Sequence, residues 1–249
     1  MKNIGAQLYT VRDLLKTEDQ IRNTFAELKA IGYDCVQLYG SVAFAESCAK
    51  IAKETGLAVV GILSDLPSCE KEEEALFRLC RAYQIRDIGI SSTSQDCQDP
   101  EAYINRVNAF AKKVKRADFT FSYHNHGHEF IRLETGEIPM ETFVAGFSPN
   151  VDFMPDTYWL HDGGCDIRYF LERIGSRVRI LHLKDLARTE KGHTFAEVGS
   201  GNLYFEGILK TALDCGIEEF VVEQDSCPGN PIGSLRKSYN YIKKLLEEV

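Results

Sequence analysis

The chain has 249 residues, with 29 Lys and Arg against 37 Asp and Glu, giving a formal net charge of −8. Hydrophobic residues at 44% and charged residues at 27% are ordinary globular proportions; they argue against disorder, and a chain of this length buries enough surface to fold without disulfide staples. The acidic balance gives no electrostatic footprint for nucleic acid or for an anionic membrane, although it leaves room for a local basic pocket.

Met1-Lys2-Asn3-Ile4-Gly5 runs straight into a short apolar segment, so no secretory leader is expected. No apolar run reaches the ~18 residues of a membrane span. The eight cysteines are scattered and form no CxxC pair. Cys35, Cys48, Cys80 and Cys215 fall within apolar periodic stretches, which predicts reduced, mostly buried thiols in a cytoplasmic protein.

Short apolar runs alternate with helical patterns. Ile4 to Leu8 reads as a strand and Asp13 to Ala30 as a helix ending at Gly32; Cys35 to Leu38 is a strand and Phe44 to Thr55 a helix closed by Gly56. Leu57 to Leu63 and Asp87 to Ile90 read as strands, with a helix over Glu70 to Tyr83 between them. A helix from Pro100 to Lys115 has Asp99 as its N-cap and proline in its first turn. Strands follow at Phe119 to Tyr123, Val151 to Met154, Val178 to Leu183 and Phe220 to Val222. Helices are expected around Met140 to Phe147, at Ile167 to Ile174 before Gly175, at Tyr204 to Cys215 before Gly216, and at Leu235 to Leu246. Alternation at this pitch implies a parallel sheet with helices outside it, and eight such units over 1–249 predict an α/β fold, a single-domain (β/α)8 TIM barrel. The alternative is an open doubly wound sheet, which usually has a Gly-rich first turn; Gln7-Leu8-Tyr9-Thr10-Val11-Arg12 has no glycine.

In such a barrel the site lies at the C-terminal ends of the strands. Strand five is followed by His124-Asn125-His126-Gly127-His128-Glu129, strand six by Asp156-Thr157-Tyr158-Trp159; strand seven carries His182-Leu183-Lys184-Asp185, and strand eight ends in Glu223-Gln224-Asp225. Each piece has an ordinary reading: a solvated histidine loop, a turn cap at Asp156, a core histidine at 182, a surface carboxylate at 223. Their coincidence on one rim points elsewhere, because buried charges are costly unless paired or metal-bound. Nitrogen and oxygen donors with no nearby cysteine pair suit a divalent ion such as Mn²⁺, Zn²⁺, Co²⁺ or Mg²⁺.

These segments, with Gly5-Ala6-Gln7-Leu8-Tyr9-Thr10-Val11-Arg12 and Gly32-Tyr33-Asp34-Cys35-Val36-Gln37-Leu38, resemble the sugar phosphate isomerase/epimerase group of the xylose-isomerase-like barrels. That superfamily also includes inosose dehydratases, ketose 3-epimerases and DNA-repair endonucleases. The resemblance implies a divalent metal held by Glu, Asp, His and Glu from successive strand ends. By position these are Glu129, Asp156, His182 and Glu223, with His124 as the substitute for Glu129. Two departures stand out: Gln37 where the family often has Glu, and Leu63-Ser64-Asp65 where it often has His.

The resemblance further implies proton abstraction from a sugar, keto-sugar or cyclitol through a metal-stabilised enediolate. Glu129 and Glu223 would be the paired acid/base carboxylates, Lys184 would stabilise substrate oxygens, and His124, His126, Trp159, Tyr9 and Gln7 would contact substrate. Asp185 would orient the metal-bound histidine. Gly199-Ser200-Gly201-Asn202 reads equally as an anion-binding turn or a simple helix entry. A dehydratase begins with the same proton abstraction, and an inactive sugar-binding barrel is the non-enzyme alternative. An endonuclease would need more metal-binding histidines and a basic groove. Barrels of this type often pair, which leaves a homo-oligomer open.

Overall fold

The computed structural model describes residues 3–248; Met1 and Lys2, on which the reading of the N-terminus partly rests, and Val249 lie outside them. Eight parallel strands form the wall: β1 (Asn3–Gln7), β2 (Cys35–Tyr39), β3 (Ala58–Asp65), β4 (Asp87–Ser91), β5 (Thr120–His124), β6 (Asp152–Met154), β7 (Ile180–Leu183) and, after a hairpin of β8 (Asp185–Thr189) and β9 (Gly192–Ala196), β10 (Glu219–Val222). Their hydrogen-bonded order is β6-β5-β4-β3-β2-β1-β10-β7. Two isolated parallel bridges, Phe153 to Val178 and Asp156 to His182, join β6 to β7 and close the cylinder as a TIM barrel.

The outer ring consists of α1 (Glu18–Ile31), α2 (Val42–Thr55), α3 (Leu66–Lys71), α4 (Glu73–Tyr83), α5 (Pro100–Arg116), α6 (Pro139–Gly146), α7 (Thr157–Asp162), α8 (Ile167–Ile174), α9 (Phe205–Asp214) and α10 (Pro231–Glu248). Residue chemistry sets the ends. Asp99 Oδ1 accepts from Ala102 N at 3.1 Å, as expected of the N-cap of α5. Gly56 closes α2 at φ 74°, where a Cβ would be strained. Gly175 does a different job from the helix stop expected: its backbone stays right-handed and continues into a 3₁₀ turn. A Cβ there would sit 2.6 Å from that of Cys215, so glycine allows α8 and the end of α9 to approach closely.

The main core lies between strands and helices, and side chains two residues apart on each strand fill the cylinder. At its N-terminal end, buried Asp87 accepts from Ser122 and Thr120 hydroxyls at 2.6 and 2.8 Å. Above it an apolar layer of Met154, Ile180 and Val221 packs with Val60 and Leu63. The C-terminal end carries the polar layer described next.

Two expected helices differ in detail, and two features answer to no expected element. The helix over Glu70 to Tyr83 is two helices, broken at Glu72, whose φ/ψ of −108/21° is non-helical. Asp13 to Ala30 begins with a 3₁₀ segment, Leu8–Leu14, before α1. The β8–β9 hairpin and the short α7 complete the list. All eight cysteines are free, five of them buried. Among the described residues no helix is long and apolar enough to cross a membrane.

Candidate metal centre

At the C-terminal end of the barrel, His124, Asp156, His182 and Glu223 converge, each offering a ligand atom within 4.8 Å of the others. Strand geometry puts them there: His124 ends β5, His182 lies within β7, and Glu223 follows β10 one alternation beyond Val221. Asp156 follows Pro155 and caps α7, accepting from Trp159 N through Oδ1 at 3.1 Å, while its Oδ2 stays turned to the cluster. The turn cap and the site carboxylate are therefore one residue. All four side chains are buried.

Polar satisfaction is incomplete here. Neither ring nitrogen of His124 has a hydrogen-bond partner, and Asp156 Oδ2 accepts no aligned hydrogen bond; the two face each other at 3.5 Å. His182 Nδ1 lies 2.9 Å from Glu223 Oε2. Buried polar atoms are nearly always paired, so lone pairs left over at one point match what a cation needs. The donor set of two imidazoles and two carboxylates suits a divalent transition metal better than an all-oxygen ion such as Mg²⁺.

Lys184, fully buried, reaches into the same layer. Its Nζ is 3.1 Å from Asp156 Oδ2, 3.1 Å from Glu223 Oε2 and 2.9 Å from Asp225 Oδ1. Burial opposes its charge, yet these three carboxylates hold its pKa above the ordinary value. In return, although burial acts the other way, Lys184 and then His124 or His182 keep Asp156 below and Glu223 well below the usual carboxylate range. Burial dominates at Asp225 and pushes it up to about 6 against the pull of Lys184. Burial and the neighbouring His182 lower His124, and burial with His124 lowers His126 to about 4, leaving both rings neutral at pH 7.

Glu129 is not in this group. It sits on the 3₁₀ turn His128–Phe130, and its carboxylate is held by other partners. There it accepts from Tyr123 Oη at 2.8 Å, Ser92 Oγ at 3.0 Å and His126 N at 2.9 Å. It is fully buried and groups instead with His126 and His128. The expected pairing of Glu129 with Glu223 is thus not what the fold brings together, and His124 stands in its place.

Above the cluster opens a cavity of ≈510 Å³ whose lining includes Gln7, Tyr9, His124, His126, Lys184, Glu223 and Asp225. Trp159 lines a neighbouring hollow of ≈620 Å³ with His126, His128 and Phe130. It touches the main cavity only indirectly, with Lys184 Nζ 5.5 Å from its ring centroid. A third hollow of ≈580 Å³ opens at the opposite end of the barrel, around Asp34, Asp87 and Arg179, far from these groups.

Two further expectations change. Asp185 does not orient His182: its carboxylate accepts from the amides of Leu186, Gly199, Gly201 and Leu203 at 2.7 to 3.2 Å. The same contacts take Gly199 and Gly201 out of consideration as anion binders, because their amides already face a carboxylate. The partner of His182 Nε2 is Gln37 Oε1 at 2.7 Å. The sequence assigns no site role to Gln37, which stands out only as a departure from the family pattern, or to Asp225, which only belongs to the segment ending strand eight. Period-2 spacing from Cys35 and from Glu223 would have found both.

A family profile described as a xylose isomerase-like TIM barrel matches residues 25–245. An inosose dehydratase of Mesomycoplasma hyopneumoniae (strain 7448) is 28% identical over 173 residues, covering 60% of this chain and 55% of the relative. The chain thus spans about half the length of the curated relatives it matches. Among solved structures, a sugar phosphate isomerase/epimerase from Parabacteroides distasonis ATCC 8503 superposes with a TM-score of 0.81 at 20% identity, covering 98% of both chains. A xylose isomerase-like TIM barrel protein from Mycobacterium smegmatis in complex with magnesium superposes with a TM-score of 0.70 at 14% identity, covering 99% of this chain and 97% of the other. At these identities the structural likenesses speak for the fold, and the profile match for descent: the chain belongs to the xylose isomerase-like TIM barrel family.

Proposed function

We propose that this chain is a divalent-metal-dependent enzyme that isomerises or epimerises a sugar, keto-sugar or cyclitol by removing a proton next to a carbonyl. The observation that carries this reading is the buried cluster of His124, Asp156, His182 and Glu223, with both ring nitrogens of His124 unpartnered, beneath a cavity large enough for a sugar. These four residues would hold the ion. When bound, it would supply Lewis acidity toward a carbonyl and a neighbouring hydroxyl.

The chain's own groups do the rest. Glu223, held as a carboxylate by Lys184 and His182, faces the cavity as a proton acceptor. Lys184 presents a fixed positive charge where negative charge develops on substrate oxygens. Tyr9 and neutral His126 line the wall and would bind hydroxyls. Glu129 holds the His126 loop in place by its hydrogen bond to the His126 amide.

Dehydration of a keto-cyclitol or keto-sugar is the second reading, favoured by the inosose dehydratases among the relatives. Metal analysis of the purified protein, followed by incubation with a keto-sugar and cyclitol panel in deuterated water, separates the cases. Bound metal with deuterium uptake and an epimer or isomer supports the first reading, and loss of water supports the second. Bound sugar without deuterium uptake would mean a binding barrel and overturn both.

A further inference from the structure

We infer that Gln7 and Gln37 form a buried relay that fixes the ring of His182, with Nε2 as its N–H side and Nδ1 as the face offered to a cation. The proton positions follow from one donor that has no choice. The backbone N–H of Tyr9 donates to Gln7 Oε1 at 3.2 Å, which identifies the oxygen end of Gln7. Its other end, the amide nitrogen, donates to Gln37 Oε1 at 2.5 Å. An amide nitrogen only donates, so the end of Gln37 facing Gln7 is its oxygen. The Gln37 nitrogen then faces Met154 Sδ at 3.2 Å, a weak acceptor, which agrees.

That same Gln37 oxygen lies 2.7 Å from His182 Nε2. A carbonyl only accepts, so Nε2 carries hydrogen. Nδ1 is left facing Glu223 Oε2 at 2.9 Å, where a proton or a metal ion must stand between two lone pairs. Gln7, Gln37 and His182 are fully buried, so bulk water does not compete for these contacts. Histidine ligands usually have such a partner on their far nitrogen, often a carboxylate. Here the partner is a neutral amide locked by a second amide, so the ring is oriented without another negative charge in a layer that already holds Asp156, Glu223 and Asp225.

The metal face of this inference rests on the proposed function, whereas the N–H assignment rests on hydrogen bonds alone. The test uses protein labelled with ¹⁵N-histidine and long-range ¹H–¹⁵N correlation, with and without ¹¹³Cd²⁺. Nε2 of His182 is expected to remain protonated throughout, and cadmium coupling to appear at Nδ1 alone. Gln37→Leu is expected to weaken Cd²⁺ binding by about 10–100-fold and to remove the preference for Nε2–H. Gln37→Glu, which keeps an acceptor for Nε2, should restore binding to within a few-fold of the parent protein. Circular dichroism of each variant separates misfolding from this effect. Cadmium coupling at Nε2, or unchanged affinity in a folded Gln37→Leu variant, would overturn the relay. If the parent protein takes up no cadmium the metal reading fails, while an unprotonated Nε2 in that same sample would defeat the relay by itself.

Discussion

Replacing Lys184 by methionine keeps most of its volume and removes one charge from a layer where three carboxylates lie within 2.9 to 3.1 Å of its Nζ. Asp156 is fully buried and Glu223 nearly so. Removing one partner of a buried ion pair costs about 3–5 kcal/mol because the other charge is left uncompensated. For a chain of this size each kcal/mol shifts the thermal midpoint by about 2–4 °C, so Lys184→Met should melt about 6–20 °C lower in the presence of a chelator. Lys184 raised above its ordinary pKa and Glu223 depressed well below it both place this stabilisation at neutral pH, to be lost as acid protonates the carboxylates. The deficit should therefore shrink as pH falls. A divalent cation should replace the lost charge, so metal should raise the midpoint of the variant more than that of the parent, read by calorimetry at matched metal concentrations. Equal midpoints for variant and parent in chelator would refute the counter-charge argument. A low midpoint that metal does not raise would refute the claim that the same carboxylates hold an ion.

Glu223→Gln should lower turnover of a confirmed substrate by about 10²–10⁴-fold with an unchanged far-ultraviolet spectrum; normal turnover would remove Glu223 from the chemistry. Glu129→Gln should cost about 1–3 kcal/mol in chemical denaturation by weakening the hold on the His126 amide, with metal content unchanged; loss of metal would return Glu129 to the ligand set. Burial raises Asp87 to about 6 from the usual 3.8, with Ser122 and Thr120 opposing the shift. The folded state then binds more protons than the unfolded chain between these values, so this group's contribution to stability falls as pH rises through that window, by roughly 3 kcal/mol. Asp87→Asn should flatten that part of the stability curve between pH 4 and pH 6, and an unchanged slope would contradict the burial argument.

The barrel was legible because each strand's outward side packs under a helix and each helix shows one apolar face; both periods survive in the chain. What escaped detection lacks those signals. Strands β8 and β9 are largely exposed beyond Leu186 and before Ala196, and no apolar alternation marks them. The break at Glu72 involves neither glycine nor proline, so nothing in the local residues announces it. In the site, Asp156, His182 and Glu223 could be placed at strand ends by counting. Choosing between His124 and Glu129 could not be done that way, because a three-residue 3₁₀ turn decides where Glu129 aims. In the sequence Gln37 reads as the loss of an ionisable group. Its significance is geometric, and it becomes visible only once its oxygen is seen against His182.

The closure of the cylinder gives the cluster a mechanical meaning. Where the other neighbouring strands are joined by ladders of three to five paired residues, β6 and β7 meet through two bridges, and the upper one is Asp156 with His182. His182 N donates to Pro155 O at 2.9 Å, next to this bridge. An ion gripped from both sides of this joint would act as a rivet across the least stitched pair of staves. Opening of the wall at that joint would then have to pull the ion's ligands apart, so a bound ion would resist parting of β6 from β7.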